Sequence, residues 1–174
     1  EKKAQAAKTV PLAARQFTAG EKFPFLGQDY ALSVVSGQRA ALRFENGFFL
    51  HEKALPEAQL AFEKWYKAVA LKVLTERVTA LAARHGFRYE KIRITSARTR
   101  WGSCSSRGTL SFTWRLVMAP PEVVDYVVVH ELVHLKVKNH SRTFWAAVAA
   151  LLPDYKRRVA WLKANGKYLT LDGV

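Results

Sequence analysis

Val129-His130-Glu131-Leu132-Val133-His134 places two imidazoles four residues apart with a glutamate between them, and His140 follows. Neutral imidazole is a standard zinc ligand. On a helix, four residues rise about 6 Å and return to one face, so both rings can reach one ion. In a strand the same two rings would stand roughly 13 Å apart. The chemistry therefore predicts a helix here, although Tyr126-Val127-Val128-Val129 has the composition of a strand. Glu131 then lies one step round the helix, near enough to touch a water at the metal without ligating it. His130, His134 and His140 as ligands leave a fourth position open, and Glu131 is the candidate general base of a hydrolase. With five histidines in 174 residues, the two-histidine motif should arise by chance about 0.008 times, and with the third histidine about 0.0002 times. Cys104 is the rival ligand. As a fourth donor it would close the site and make the zinc structural, but a closed site has no need of the glutamate.

Several elements must position these groups. Pro120-Pro121 followed by Glu122 and Asp125 reads as the start of the metal helix. Lys136 and Lys138 favour its end, and Asn139 is suited to a left-handed reversal that brings His140 back. The ligand spacing is that of the metzincins, except that Val137 stands where those enzymes keep Gly, so the turn must be built differently. Ser141 should cap a second helix carrying Phe144, Trp145, Val148 and Leu151, and Pro153 should start a third that stops at Asn165-Gly166. Upstream, Pro56 opens a long helix ending near Gly86, with Phe62, Trp65, Val69, Val73, Leu74, Val78 and Leu81 at helical spacing and Glu63-Lys67 paired on its wet face. Ile92–Thr95 and Thr109–Trp114 read as a strand pair joined by the loop Ser103–Gly108. Before the long helix, short β-forming runs from Phe23 to His51 read as an antiparallel meander, with Asn46-Gly47 as a two-residue turn. Residues 1–20 read as a loose arm. Residues 21–174 read as one α+β domain, β-rich over 21–55 and helical with the strand pair and metal site over 56–174.

Composition narrows the function classes. An apolar fraction of 49% with 24% charged residues excludes disorder along the whole chain. No apolar run approaches ~18 residues, so no membrane span is expected. One cysteine excludes a disulfide framework and suits a reducing, cytoplasmic setting. The Glu1-Lys2-Lys3-Ala4 start lacks the apolar stretch of a signal peptide. The net charge of +14 favours polyanionic partners. It is densest over residues 90–119, where Lys91, Arg93, Arg98, Arg100, Arg107 and Arg115 face Glu90 alone.

Arg100-Trp101-Gly102-Ser103-Cys104-Ser105, Trp114 through Pro121, Val128 through Leu135, and Asn139-His140-Ser141 with Phe144-Trp145 together resemble the YgjP-like zinc metallopeptidases, relatives of the SprT-like and WLM families. The resemblance runs from about Phe23 to Leu169. It implies a zincin-like fold, one Zn²⁺ on His130, His134 and His140, and Glu131 as catalytic base. Family substrates are poorly defined, so the resemblance implies no biological role.

Three readings follow. The first is a zinc metallopeptidase acting on a peptide or protein. The second is a pyrophosphatase-type hydrolase of a nucleotide phosphoanhydride, motivated by the basic segment 90–119. The third is a zinc-stabilised nucleic-acid-binding protein without catalysis, against which Glu131 argues. Arg98, Arg100, Trp101 and Tyr126 are the candidate substrate or oxyanion contacts. Cys104 has neither a nucleophile elbow nor a base beside it, and His51 and His85 have no acidic company.

Overall fold

The computed structural model describes residues 14–172, and over them the chain is α+β with two small sheets. The first holds β1 (Lys22–Phe25), β2 (Gln28–Val35), β3 (Leu42–Phe44) and β4 (Phe48–His51), in the order β1-β2-β4-β3. β1 with β2, and β3 with β4, are antiparallel as expected, but β2 and β4 run parallel, so this sheet is no simple meander. Burial accounts for the order. Phe48 and Leu50 are fully buried on β4, whereas β3 exposes Arg43, so the apolar strand takes the centre and the polar one the edge. The β3–β4 connection also uses three residues rather than two, with Asn46 left-handed and the Glu45 N–H bonded to the Gly47 carbonyl.

The β1–β2 turn has Leu26 and Gly27 both at positive φ, the requirement of a tight hairpin. Its tip lies on the segment leading into the helix that carries His130 and His134: the Leu26 N–H donates to the Val117 carbonyl at 2.7 Å. A Cβ at position 27 would lie 2.8 Å from Pro120 Cα, so glycine permits this approach.

A 3₁₀ turn containing Pro56 precedes α1 (Ala58–His85), which ends on left-handed Gly86. The wholly buried stripe of α1 is Phe62, Tyr66, Ala70, Leu74 and Val78, while Trp65, Val69, Val73 and Leu81 are only partly buried. Alanine at position 70 admits close packing that apolar size alone would not suggest. Tyr66 stacks on Trp114 at 5.6 Å, and Arg77 pairs with Asp125 at 2.5 Å, tying α1 to the helix that carries His130 and His134. The expected Glu63–Lys67 pair forms at 2.7 Å.

The second sheet has the order β5-β7-β6, from β5 (Lys91–Thr95), β6 (Gly102–Cys104) and β7 (Thr109–Thr113). β5 and β7 form the expected pair, in parallel. β6 takes in Ser103 and Cys104, which the sequence places in a loop; three small residues offer no apolar alternation, and only pairing with β7 makes them a strand.

α2 (Pro121–His134) is buried nearly all round, which is why its valines imitate a strand. The chain beyond it turns without any left-handed residue, contrary to the role expected of Asn139. Instead the N–H groups of Leu135, Lys136 and Val137 bond back to carbonyls of the last helical turn. The Ser141 hydroxyl caps α3 (Arg142–Leu151) by accepting from the Phe144 N–H, and α4 (Tyr155–Asn165) follows. Of the expected arm, residues 1–13 lie outside the described residues, while Phe17 stacks on Phe23 at 5.5 Å. No helix among the described residues is long and apolar enough to cross a membrane.

Candidate metal centre

α2 supplies His130 and His134, and the turn after it returns His140. The three Nε2 atoms lie 3.0–3.2 Å from one another. They cannot all be hydrogen-bonded, because a neutral imidazole carries a single N–H. For His134 that proton is assigned: Nδ1 lies 3.0 Å from the Val137 carbonyl, which can only accept, so Nε2 presents its lone pair to the centre. His130 Nδ1 lies 3.4 Å from the Tyr126 hydroxyl. Three ring nitrogens brought together in this way could hold a cation. Tetrahedral zinc with nitrogens at ~2.0–2.1 Å sets its ligands about 3.3 Å apart, so the donor set fits that ion in type and spacing. Cys104 lines the same hollow but does not belong to the metal-capable group of three histidines.

Burial tunes the groups. It lowers the His130 pKa to about 4, helped by the neighbouring His134 and His140, and it lowers that of His134 as well. Burial thus favours the neutral form of both rings, the form in which imidazole can bind a metal. Phe144 packs on the imidazoles, 4.4 Å from the His134 ring, and Trp145 stacks on His140.

Glu131 is 5% exposed, and burial pushes its carboxyl up to about 7, with Arg100 pulling the other way. The unfolded chain releases this proton near pH 4.5 and the folded one near 7. The folded state thus holds an extra proton in that window, and stability falls as pH rises through it. In metal-free protein, the stability of Glu131→Gln relative to the parent should rise by about 3 kcal/mol from pH 4 to pH 8. Denaturant titrations at the two pH values measure this, and an unchanging difference would show that the carboxyl is not held back by burial.

Room for this carboxylate comes from β6. A Cβ on Gly102 would stand 2.8 Å from both Cγ and Oε1 of Glu131. Gly102→Ala should therefore displace the carboxylate while leaving the imidazoles in place. Because a 1 Å misplacement can cost about 10²-fold, activity should fall by that order with bound metal unchanged. Near-parental turnover would mean that Glu131 needs no such placement.

Trp101 and Tyr126 wall a second hollow of about 180 Å³ beside His130 and Glu131, closed by Val127 and Leu162. Burial, and then Glu131, raise the Tyr126 pKa to about 12, so its hydroxyl remains a donor. Arg98 and Arg100 lie one step farther out, in a pocket on the other side of Trp101. Of the basic segment, Arg98, Arg100 and Arg115 gather in that pocket and Arg107 does not. Three contributors escaped the sequence reading: Gly102, Leu162, and the distant Asp172, which pairs with Arg98 at 3.0 Å. The first was visible only as a glycine beside Trp101, and the other two carry no local signal. His51 caps the 3₁₀ turn before α1 and His85 ends α1, so neither joins the site.

The family model described as YgjP-like, metallopeptidase domain, matches residues 1–165. No curated protein matches the sequence. Among solved structures, the chain is similar to the metallopeptidase zymogen of Pyrococcus abyssi abylysin, at 22% identity and a TM-score of 0.48, over 54% of this chain and 93% of that one. It is also similar to the zymogen of Methanocaldococcus jannaschii jannalysin, at 20% identity and a TM-score of 0.42, over 50% and 93%.

Proposed function

The chain belongs to the YgjP-like metallopeptidase family, and from that premise we propose that it is a zinc-dependent peptidase with one ion on His130, His134 and His140. The observation carrying this reading is the convergence of three imidazole nitrogens beside a buried glutamate. Zinc would supply Lewis acidity, lowering the pKa of a bound water toward about 7 and polarising the scissile carbonyl. The protein does the rest. Glu131 accepts the water's proton and returns it to the leaving amine. The Tyr126 hydroxyl, or the Arg100 guanidinium beyond Trp101, donates to the developing oxyanion. β6 is an edge strand packed against α2, and its unpaired side suits an extended peptide. Cleavage of a peptide library by zinc-loaded protein, abolished by chelation and restored by zinc, is the expected result.

One observation favours a second reading, hydrolysis of a nucleotide phosphoanhydride: the arginine pocket shares a wall with the metal site. Nucleotide turnover without peptide cleavage would put that reading first.

A further inference from the structure

Beyond Trp101 and Leu162, which also wall the hollow beside Glu131, lies a cavity of about 400 Å³. Among the described residues it gathers four cations, Arg98, Arg100, Arg115 and Lys167, around a single carboxylate, Asp172. Such an excess is costly to assemble without an anion to share. Arg115 is held rigidly: its guanidinium lies over the Trp114 ring at 4.3 Å and donates to the Ser96 carbonyl at 3.0 Å. Its other nitrogen points at Asp172, 3.4 Å away, and Arg98 reaches the same carboxylate oxygen at 3.0 Å. Asp172 thus marks where an oxyanion fits between two guanidinium forks. Arg100 and Lys167 have no carboxylate partner among the described residues. An independent sign comes from Thr113, which lines the cavity at 2% exposure with a hydroxyl that has no hydrogen-bond partner among the described residues. A buried hydroxyl left unpaired is unfavourable unless something bonds to it.

We propose that this cavity is an oxyanion subsite, taking a carboxylate or phosphate group carried by the substrate while the adjoining bond lies at the metal. Its use in turnover rests on the hydrolase reading above; the binding itself does not. Asp172 occupies part of the subsite in the free protein and competes with the incoming anion.

Binding can be measured by calorimetry on the full chain, zinc-loaded and metal-depleted, with inorganic pyrophosphate and with an acidic dipeptide as probes. Binding should persist without metal, which separates this pocket from direct ligation of zinc. Arg100→Gln with Lys167→Gln should weaken it about tenfold or more, and the isosteric Thr113→Val severalfold. Asp172→Asn should tighten it severalfold, a gain that a merely structural carboxylate would not produce. Thermal melts identify any variant that fails to fold, and the remaining variants still decide. Tighter binding of the dipeptide identifies a carboxylate substrate, and tighter binding of pyrophosphate a phosphorylated one; either supports the subsite. Binding of neither probe to metal-depleted protein, or affinities indifferent to all these substitutions, overturns it. If the pocket binds as described and no peptide is cleaved, the peptidase reading fails and the subsite stands.

Discussion

Zinc-loaded Glu131→Gln protein should retain its metal and lose turnover by about 10²–10⁴-fold, the usual contribution of a positioned acid–base group. Glutamine matches glutamate in size and fills the space that Gly102 leaves, so the hollow keeps its shape. The amide cannot take a proton from water at neutral pH, and that is the whole of the intended change. Metal content by elemental analysis and kcat on a cleaved peptide are the two readouts. Equal kcat in parent and variant would remove Glu131 from the chemistry. Loss of metal in the variant would instead make the carboxylate a ligand, contrary to its absence from the group of three histidines.

The second large effect belongs to His140. Its Nε2 sits 3.0 Å from that of His130 and 3.1 Å from that of His134. His140→Ala leaves two donors from one helix and should weaken zinc retention well beyond the roughly 10–100-fold typical of outer-shell changes. Cys104→Ala should keep one zinc per chain, because the thiol stands outside the metal-capable group. Burial raises the Cys104 pKa, chiefly by desolvation, and that further disfavours the thiolate a metal would need. Competition against a chromogenic chelator ranks the three proteins. Zinc lost from the Cys104 variant as well as from the His140 variant would mean a closed, structural site.

The sequence by itself determined the helix that brings His130 and His134 to one face with Glu131 between them, and it singled out His140 as the third member of the group that could hold a metal. Helix geometry explains this legibility: residues four apart share a face whatever surrounds them. The ends of three helices were legible for another local reason, through Gly86 after α1, Pro121 at the start of α2 and Ser141 at the start of α3. Tertiary structure alone decided the rest. The parallel pairing of β2 with β4 follows from which strand can bury Phe48 and Leu50, a comparison no single strand contains. The reversal after α2 is closed by the carbonyls of its last turn, so Asn139 did not need the conformation its type permits. Gly102 makes room for Glu131, and Asp172 enters the arginine pocket, because packing brings together segments far apart in the chain. Spacing along one helix is set by covalent geometry, whereas contacts between distant segments are set by burial and charge in the folded whole.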